Sequence, residues 1–425
     1  MQEDFLHYLW KHKKFQTHAL QTASMQPILL SAVGEHNLNS GPDFFNAKLQ
    51  IGEQLWAGNV EIHIKSSDWY VHNHETDPNY DNVILHVVWE HDTEIFRKDN
   101  TVIPTLELKH YVSETAVTAY KSLFNGAQQW INCEKNLGSV DSFITTNWLE
   151  RLYMERLERK ADVIAQSLAQ NKNNWEAVLF TLLCKNFGLK VNGDAFYSLA
   201  NAIDFAVFRK QQSKALSMEA LLFGQGQLLE IDCQDPYFLS LKKEYGFLKQ
   251  KFSLQAQAGV PMQFFRLRPP NFPTIRLSQL AQVYFVNQNV FSKVIEAKTL
   301  NDYYKLFSVE TSEYWKSHYT FNKESNPLKK KVTKAFVDLL LINTIIPLKF
   351  SYSKYKGQAI EEELLSLIAA ISAEKNSVVT KFRGLKLDAK SALESQAVLQ
   401  LKSEYCDKNR CLQCAVGNTL LNASI

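Results

Sequence analysis

Glycine and proline are scarce, 15 and 11 in 425 residues, which excludes a collagen-like chain and argues against a low-complexity, disordered one. An excess of one charge sign is also missing: 47 Lys and Arg against 44 Asp and Glu leave a formal net charge of +3. That balance leaves room for a local basic surface, but it is not itself an argument for nucleic-acid binding. No hydrophobic run reaches membrane-spanning length. The greasiest stretch, residues 335–347, is interrupted by Asp338 and Asn343 and reads as a buried helix, so no membrane partner is expected. Glu3 and Asp4 stand where a secretory leader would carry a basic and then an apolar stretch, so a cytoplasmic location is expected. In that setting the six cysteines read as thiols or metal ligands rather than disulfides.

What is present is unevenly distributed. Ten of eleven histidines precede residue 111, and only His318 follows. The texture changes at the same place. Residues 4–15 pattern as a short amphipathic helix with Phe5, Leu6, Leu9 and Trp10 on one face. Period-2 alternation then runs through Ala47, Leu49 and Ile51 and again through Val60, Ile62 and Ile64. Residues 82–90 form a β-rich run suited to a central strand, and 102–108 a shorter one. From Ala116 onward the spacing is helical, beginning with Leu149, Leu152, Leu157, Ala161, Ile164 and Leu168. Further helices are expected near 175–186, 195–206, 277–296, 329–345, 360–374 and 389–404. The expected class is α+β: a mixed-sheet domain over 1–115 with flanking helices, then a mostly helical region over 116–425. The Pro-rich segment 266–276 marks a candidate junction within that region.

The first constellation is Asp43, Glu61, His63 and Lys65. Side chains alternate along a strand, so Glu61, His63 and Lys65 share one face of the second predicted strand, while Asp43 opens the first. Carboxylates on neighbouring strands can hold Mg2+ or Mn2+ through oxygen. Such a cation polarises a phosphoryl oxygen and supplies a nucleophile, with a nearby Lys or His positioning water. Register decides whether the group assembles. A two-residue turn at Gly52-Glu53 leaves Asp43 facing Ile62, so either a longer turn or a bulge, near Gly58, is required. Glu35 is a further candidate ligand. His72, His74 and Asp77 follow downstream as a candidate transition-metal set or as substrate contacts around the same cleft. His86, between Leu85 and Val87, reads as a core histidine.

This arrangement resembles the PD-(D/E)xK phosphodiesterase superfamily, with Pro42-Asp43 matching its first element and Glu61 the acid of its triplet. His63 stands where that superfamily has lysine, so either His63 replaces it or Lys65 reaches in from further along. The resemblance implies a metal-dependent nuclease acting on DNA or RNA. The alternatives are a non-catalytic nucleic-acid or protein-binding module, and a zinc-dependent hydrolase of small molecules.

The second constellation is Cys406, Cys411 and Cys414, with Cys133 as the expected fourth ligand and Cys233 in reserve. Cys184 reads as core. Four thiolates suit zinc or an iron–sulfur cluster. The distribution, one remote cysteine and three near the C-terminus, loosely resembles the iron–sulfur nucleases of bacterial recombination and CRISPR systems. Arg266, Arg268 and Arg276, with Phe272 between them, are candidate phosphate and base contacts, with a rigid connector as the alternative. Lys329 to Lys331 reads as a solvated helix start.

The strings Gly41-Pro42-Asp43-Phe44-Phe45-Asn46-Ala47, Trp56-Ala57-Gly58-Asn59-Val60-Glu61-Ile62-His63 and Ser66-Ser67-Asp68-Trp69 also resemble those of one bacterial family known as a domain of unknown function. The likeness runs on to the terminal cysteines. It implies membership and supplies no activity.

Overall fold

The computed structural model describes residues 1–124, 129–255 and 260–422. The chain divides into two compact units. The first holds residues 1–148, 381–387 and 401–425, the second residues 149–380 and 388–400. The fold class is α+β, a mixed sheet followed by a mostly helical region. The boundary lies at Trp148 rather than near 115, and the C-terminal cysteine segment belongs to the first unit instead of closing the helical region. The reason is packing. Leu421 of the terminal helix Ala415–Asn422 sits in the same hydrophobic core as Phe5 and Tyr120, and the Tyr8 hydroxyl donates to Asn422 Oδ1 at 3.2 Å.

In the first unit a helix α1 (Glu3–Lys11) precedes the sheet, with Glu3 and Asp4 at its N-terminus and Lys11 at its C-terminus, complementing the helix dipole. The strands are β1 (Leu20–Gln21), β2 (Pro27–Ala32), β3 (Glu35–His36), β4 (Phe44–Ile51), β5 (Gln54–Lys65), β6 (Val83–Glu90) and β7 (Thr105–Glu107). Their order is β1-β2-β4-β5-β6-β7, with β3 also paired to β4. Pairing is antiparallel from β1 through β5 and parallel from β5 to β7. Phe44, Val60, Ile62, Leu85, Val87 and Leu106 enter the main core together with Phe5, Leu6, Leu9 and Trp10 of α1. The residues alternating with them, Glu61, His63 and His86, face the other way and are nonetheless buried. A short helix α2 (Asp68–Val71) and the loop after it follow β5, and a helix α3 (Glu114–Phe124) follows the sheet.

The second unit is helical. A helix begins at Leu189 rather than near 195 and ends at Ala202. The single helix expected over 277–296 is two, Pro273–Val286 and Val290–Glu296, broken where Asn289 adopts φ +54°. Residues Lys334–Lys356 form one helix of 23 residues, long and apolar enough to cross a membrane, and its apolar window is 72% buried within the protein. Of the basic run before it, Lys329 and Lys331 are exposed as expected, but the run lies ahead of the helix, which starts at Lys334. Lys330 is buried, and its ammonium donates to the carbonyls of Trp315 and Lys316.

Candidate functional site

The β4–β5 hairpin turns through two residues, with Ile51 opposite Gln54, so the required irregularity must come later. It does. Ala47 pairs with Gly58 but Phe44 pairs with Val60, so Phe45 and Asn46 together oppose Asn59. Asn46 takes φ +59°, and its N–H points to Asn59 Oδ1 at 3.4 Å. The bulge therefore sits on β4, across from the neighbourhood of Gly58. Its consequence is that Asp43 comes opposite Glu61 instead of Ile62.

The two acids then lock together. Asp43 Oδ2 accepts the Ile62 N–H at 2.9 Å, and Glu61 Oε2 accepts the Asp43 N–H at 3.1 Å. Asp43 Oδ2 also lies 3.2 Å from His7 Nε2, which brings α1 into the site. Glu61 Oε1 lies 3.5 Å from His63 Nε2 and 3.3 Å from His74 Nε2. His63 Nε2 is 3.0 Å from His72 Nδ1, and His63 Nδ1 is 2.8 Å from His86 Nε2. One nitrogen each of His63, His72 and His74 lies within 4.8 Å of the other two, an arrangement that can hold a metal ion.

The segment Ser66-Ser67-Asp68-Trp69 builds the wall of this cluster. Asp92 accepts from the Ser67 N–H at 2.9 Å and the Ser67 hydroxyl at 2.8 Å, and Asp68 Oδ2 accepts the Lys65 N–H at 2.9 Å. Trp69 is buried against Val83, Ile95 and Ile103, and its ring meets those of His74 and His86 edge-on. Asp77 does not join the imidazoles. It accepts the Asn79 N–H at 2.9 Å, capping the turn that stacks Tyr80 on His74 with ring centres 3.7 Å apart. Its role is to position.

Burial sets the protonation states. It pushes His63 down to about 3, with His74, His72 and His7 adding to the effect, so the imidazole is neutral and offers a lone pair. Burial and the neighbouring Asp43 push Glu61 up to about 9. Burial disfavours the His7 cation, but Asp43 outweighs it and the net shift is upward. His86 Nδ1 is buried without a hydrogen-bond partner among the described residues, while His74 Nε2 faces Glu61 Oε1 at 3.3 Å. A proton on His63 Nδ1, given to His86 Nε2, leaves His63 Nε2 free to ligate, the usual outer-shell device of a metal-binding histidine. The donor set of three imidazoles beside a carboxylate fits a divalent transition metal.

Of the expected site residues, Asp43, Glu61, His63, His72 and His74 come together. Lys65 lies exposed at the end of β5, and Glu35 is exposed on β3. His7 went unrecognised because nothing in a short amphipathic helix distinguishes one histidine on its flank. Arg276 is no phosphate contact. It is buried, with its guanidinium 3.8 Å from the centre of the Phe336 ring, and donates to Asn271 and Gln279. Phe272 packs against Phe264, while Arg266 and Arg268 remain exposed. Cys133, Cys406, Cys411 and Cys414 line one cavity of the first unit, whereas Cys184 and Cys233 are buried in the second.

A mixed sheet that brings two carboxylates and three imidazoles to one cluster, buried at Glu61 and His63 and open to solvent at His72, defines an α+β protein with a candidate metal centre. The chain belongs to the family described as "Protein of unknown function (DUF2851)", whose model matches residues 3–377. The terminal cysteines lie beyond the matched span. No curated protein and no solved structure matches the chain.

Proposed function

We propose that the first unit is a metal-dependent hydrolase of phosphodiester bonds in DNA or RNA. The observation that carries this reading is the bulge-enforced pairing of Asp43 with Glu61 beside three converging imidazoles. His63, His72, His74 and Glu61 would hold the ion, and this mixed nitrogen and oxygen set suits Mn2+ or Zn2+ better than Mg2+, which prefers oxygen and retains its waters. A metal held there would supply Lewis acidity toward a phosphoryl oxygen and toward the attacking water. The chain's own groups do the rest. Asp43 orients His7 and favours its proton, which suits His7 to protonate a leaving oxygen. His86 fixes the His63 tautomer, and Trp69 and Tyr80 keep bulk water from the inner face.

A second reading, a zinc hydrolase of small molecules, draws on the three imidazoles, a donor set familiar in catalytic zinc sites. Both readings are tested by incubating wild type and Glu61→Gln with labelled single- and double-stranded DNA and RNA, with Mn2+, Zn2+, Mg2+ or EDTA. Cutting that requires Mn2+ or Zn2+ and disappears in the variant is the expected result. A protein that binds the metal stoichiometrically yet cuts none of the four substrates would overturn the phosphodiester reading and favour the second. A protein that binds no metal would reduce the site to a non-catalytic binding surface.

A further inference from the structure

The terminal cysteines form a second cluster that the hydrolase reading does not use. Cys133 precedes α4 (Ser142–Gln170), Cys406 ends the helical segment begun at Ala392, and Cys411 and Cys414 flank the turn that leads into the terminal helix Ala415–Asn422. All four line one cavity whose remaining wall is largely apolar, including Ile131, Leu137, Phe382 and Leu401. We propose that Cys133, Cys406, Cys411 and Cys414 ligate an iron–sulfur cluster that staples the C-terminal segment to the first unit.

Three observations carry this. The thiols are already provided with donors suited to charged sulfur. Asn132 Nδ2 donates to Cys411 Sγ at 3.3 Å, and the backbone N–H groups of Val416 and Gly417 donate to Cys414. Next, the turn is built for close approach: a Cβ on Gly417 would overlap the Cys411 carbonyl oxygen, so only glycine lets the terminal helix start this near the Cys411 backbone.

The third observation is the layout of the ligands. Cys133, Cys406 and the Cys411–Cys414 turn come from three separate segments that close on one cavity whose wall is otherwise largely apolar. Four cysteines in such a water-poor pocket suit a centre of iron and sulfide. Each would release its proton on ligation, and the chain would gain the binding free energy as stability.

The test is to isolate the full chain without oxygen, reconstitute it with ferrous iron and sulfide, and measure iron, sulfide, zinc and visible absorption. Wild type and Cys233→Ser, a cysteine of the second unit, should hold iron and sulfide in equal amounts and absorb broadly in the visible. Cys411→Ser and Cys133→Ser should lose the absorption and most of the iron. One zinc per chain in place of iron overturns the proposal, as does iron retained by both ligand variants, or a wild-type protein whose thiols stay metal-free and fully reactive. Should the serine variants fail to fold, the wild-type metal analysis decides.

Discussion

Asp43 and Glu61 each hold the other's strand: the Asp43 carboxylate takes the Ile62 N–H, and the Glu61 carboxylate takes the Asp43 N–H. Glu61 spends Oε2 on the backbone and turns Oε1 to His63 and His74, whereas Asp43 uses the one oxygen, Oδ2, for both the Ile62 N–H and His7. A pair built in this way joins hairpin register to site geometry, and the two can be separated by substitution.

Asp43→Asn retains an oxygen for the Ile62 N–H but loses the charge that holds His7. Stability should stay near wild type while metal-dependent cutting falls by ~10²-fold or more. Asp43→Ala leaves the Ile62 N–H unpaired and should cost a further ~1–3 kcal/mol. Denaturant unfolding together with single-turnover cutting separates the two effects. Equal midpoints for Asn and Ala would show that the backbone contact contributes nothing.

Metal titration by calorimetry should find one tight Zn2+ or Mn2+ site that millimolar Mg2+ does not displace. His74→Ala and His72→Ala remove proposed ligands and should weaken binding more than His86→Ala does. His86 acts through His63, and loss of such an outer-shell partner typically costs ~10–100-fold. Equal losses for all three would contradict the assignment of His86 to the outer shell.

Asn46 is the residue that makes the bulge affordable. At φ +59° a β-branched side chain is strained by ~1–2 kcal/mol, while glycine is not. Asn46→Val should therefore destabilise the protein and also impair cutting, because relaxing the bulge returns Asp43 to the face of Ile62. Asn46→Gly should preserve both. Cutting unimpaired in a folded Asn46→Val protein would show that the bulge does not set the site.

Much of this was readable from the residues, and the rest failed for identifiable reasons. Alternation placed Glu61 and His63 on one face, and register counting from Gly52-Glu53 required either a longer turn or a bulge; that it is a bulge, and that it lies on β4 at Asn46, awaited the fold, because asparagine tolerates positive φ without advertising it. Asp77 and Glu35 looked like ligands because an acid near histidines always does, yet a cap and an exposed edge strand explain them locally. Arg276 was misread since exposure cannot be seen in a Pro-rich string, and here the prolines precede a helix buried at its start. The domain boundary was misplaced because long-range packing of Leu421 leaves no local signature.

The helical unit carries its own pH signal, independent of the metal centre. The Lys160 ammonium donates to the Ile342 carbonyl at 3.2 Å and Asn343 Oδ1 at 3.3 Å, with Arg156 and Arg159 on its own helix and Glu374 near. Burial, reinforced by Arg156, pulls its pKa down to about 7 from an ordinary 10.5. Between those values the unfolded chain binds a proton that the folded chain does not, so stability rises with pH, by at most ~1.4 kcal/mol per pH unit. Below pH 7 both states carry the charge and the cost of burying it is fully present. Glu61, with its pKa raised to about 9, contributes the opposite slope in both proteins, so the Lys160 signal is the difference between them: from pH 6 to 9 the unfolding midpoint of wild type should rise relative to that of Lys160→Met, which removes the charge while keeping the stem. The window stops at 9 because Tyr153, buried and pushed upward, begins to matter once free tyrosine ionises. A Lys160→Met protein with the wild-type slope would place the titrating group elsewhere.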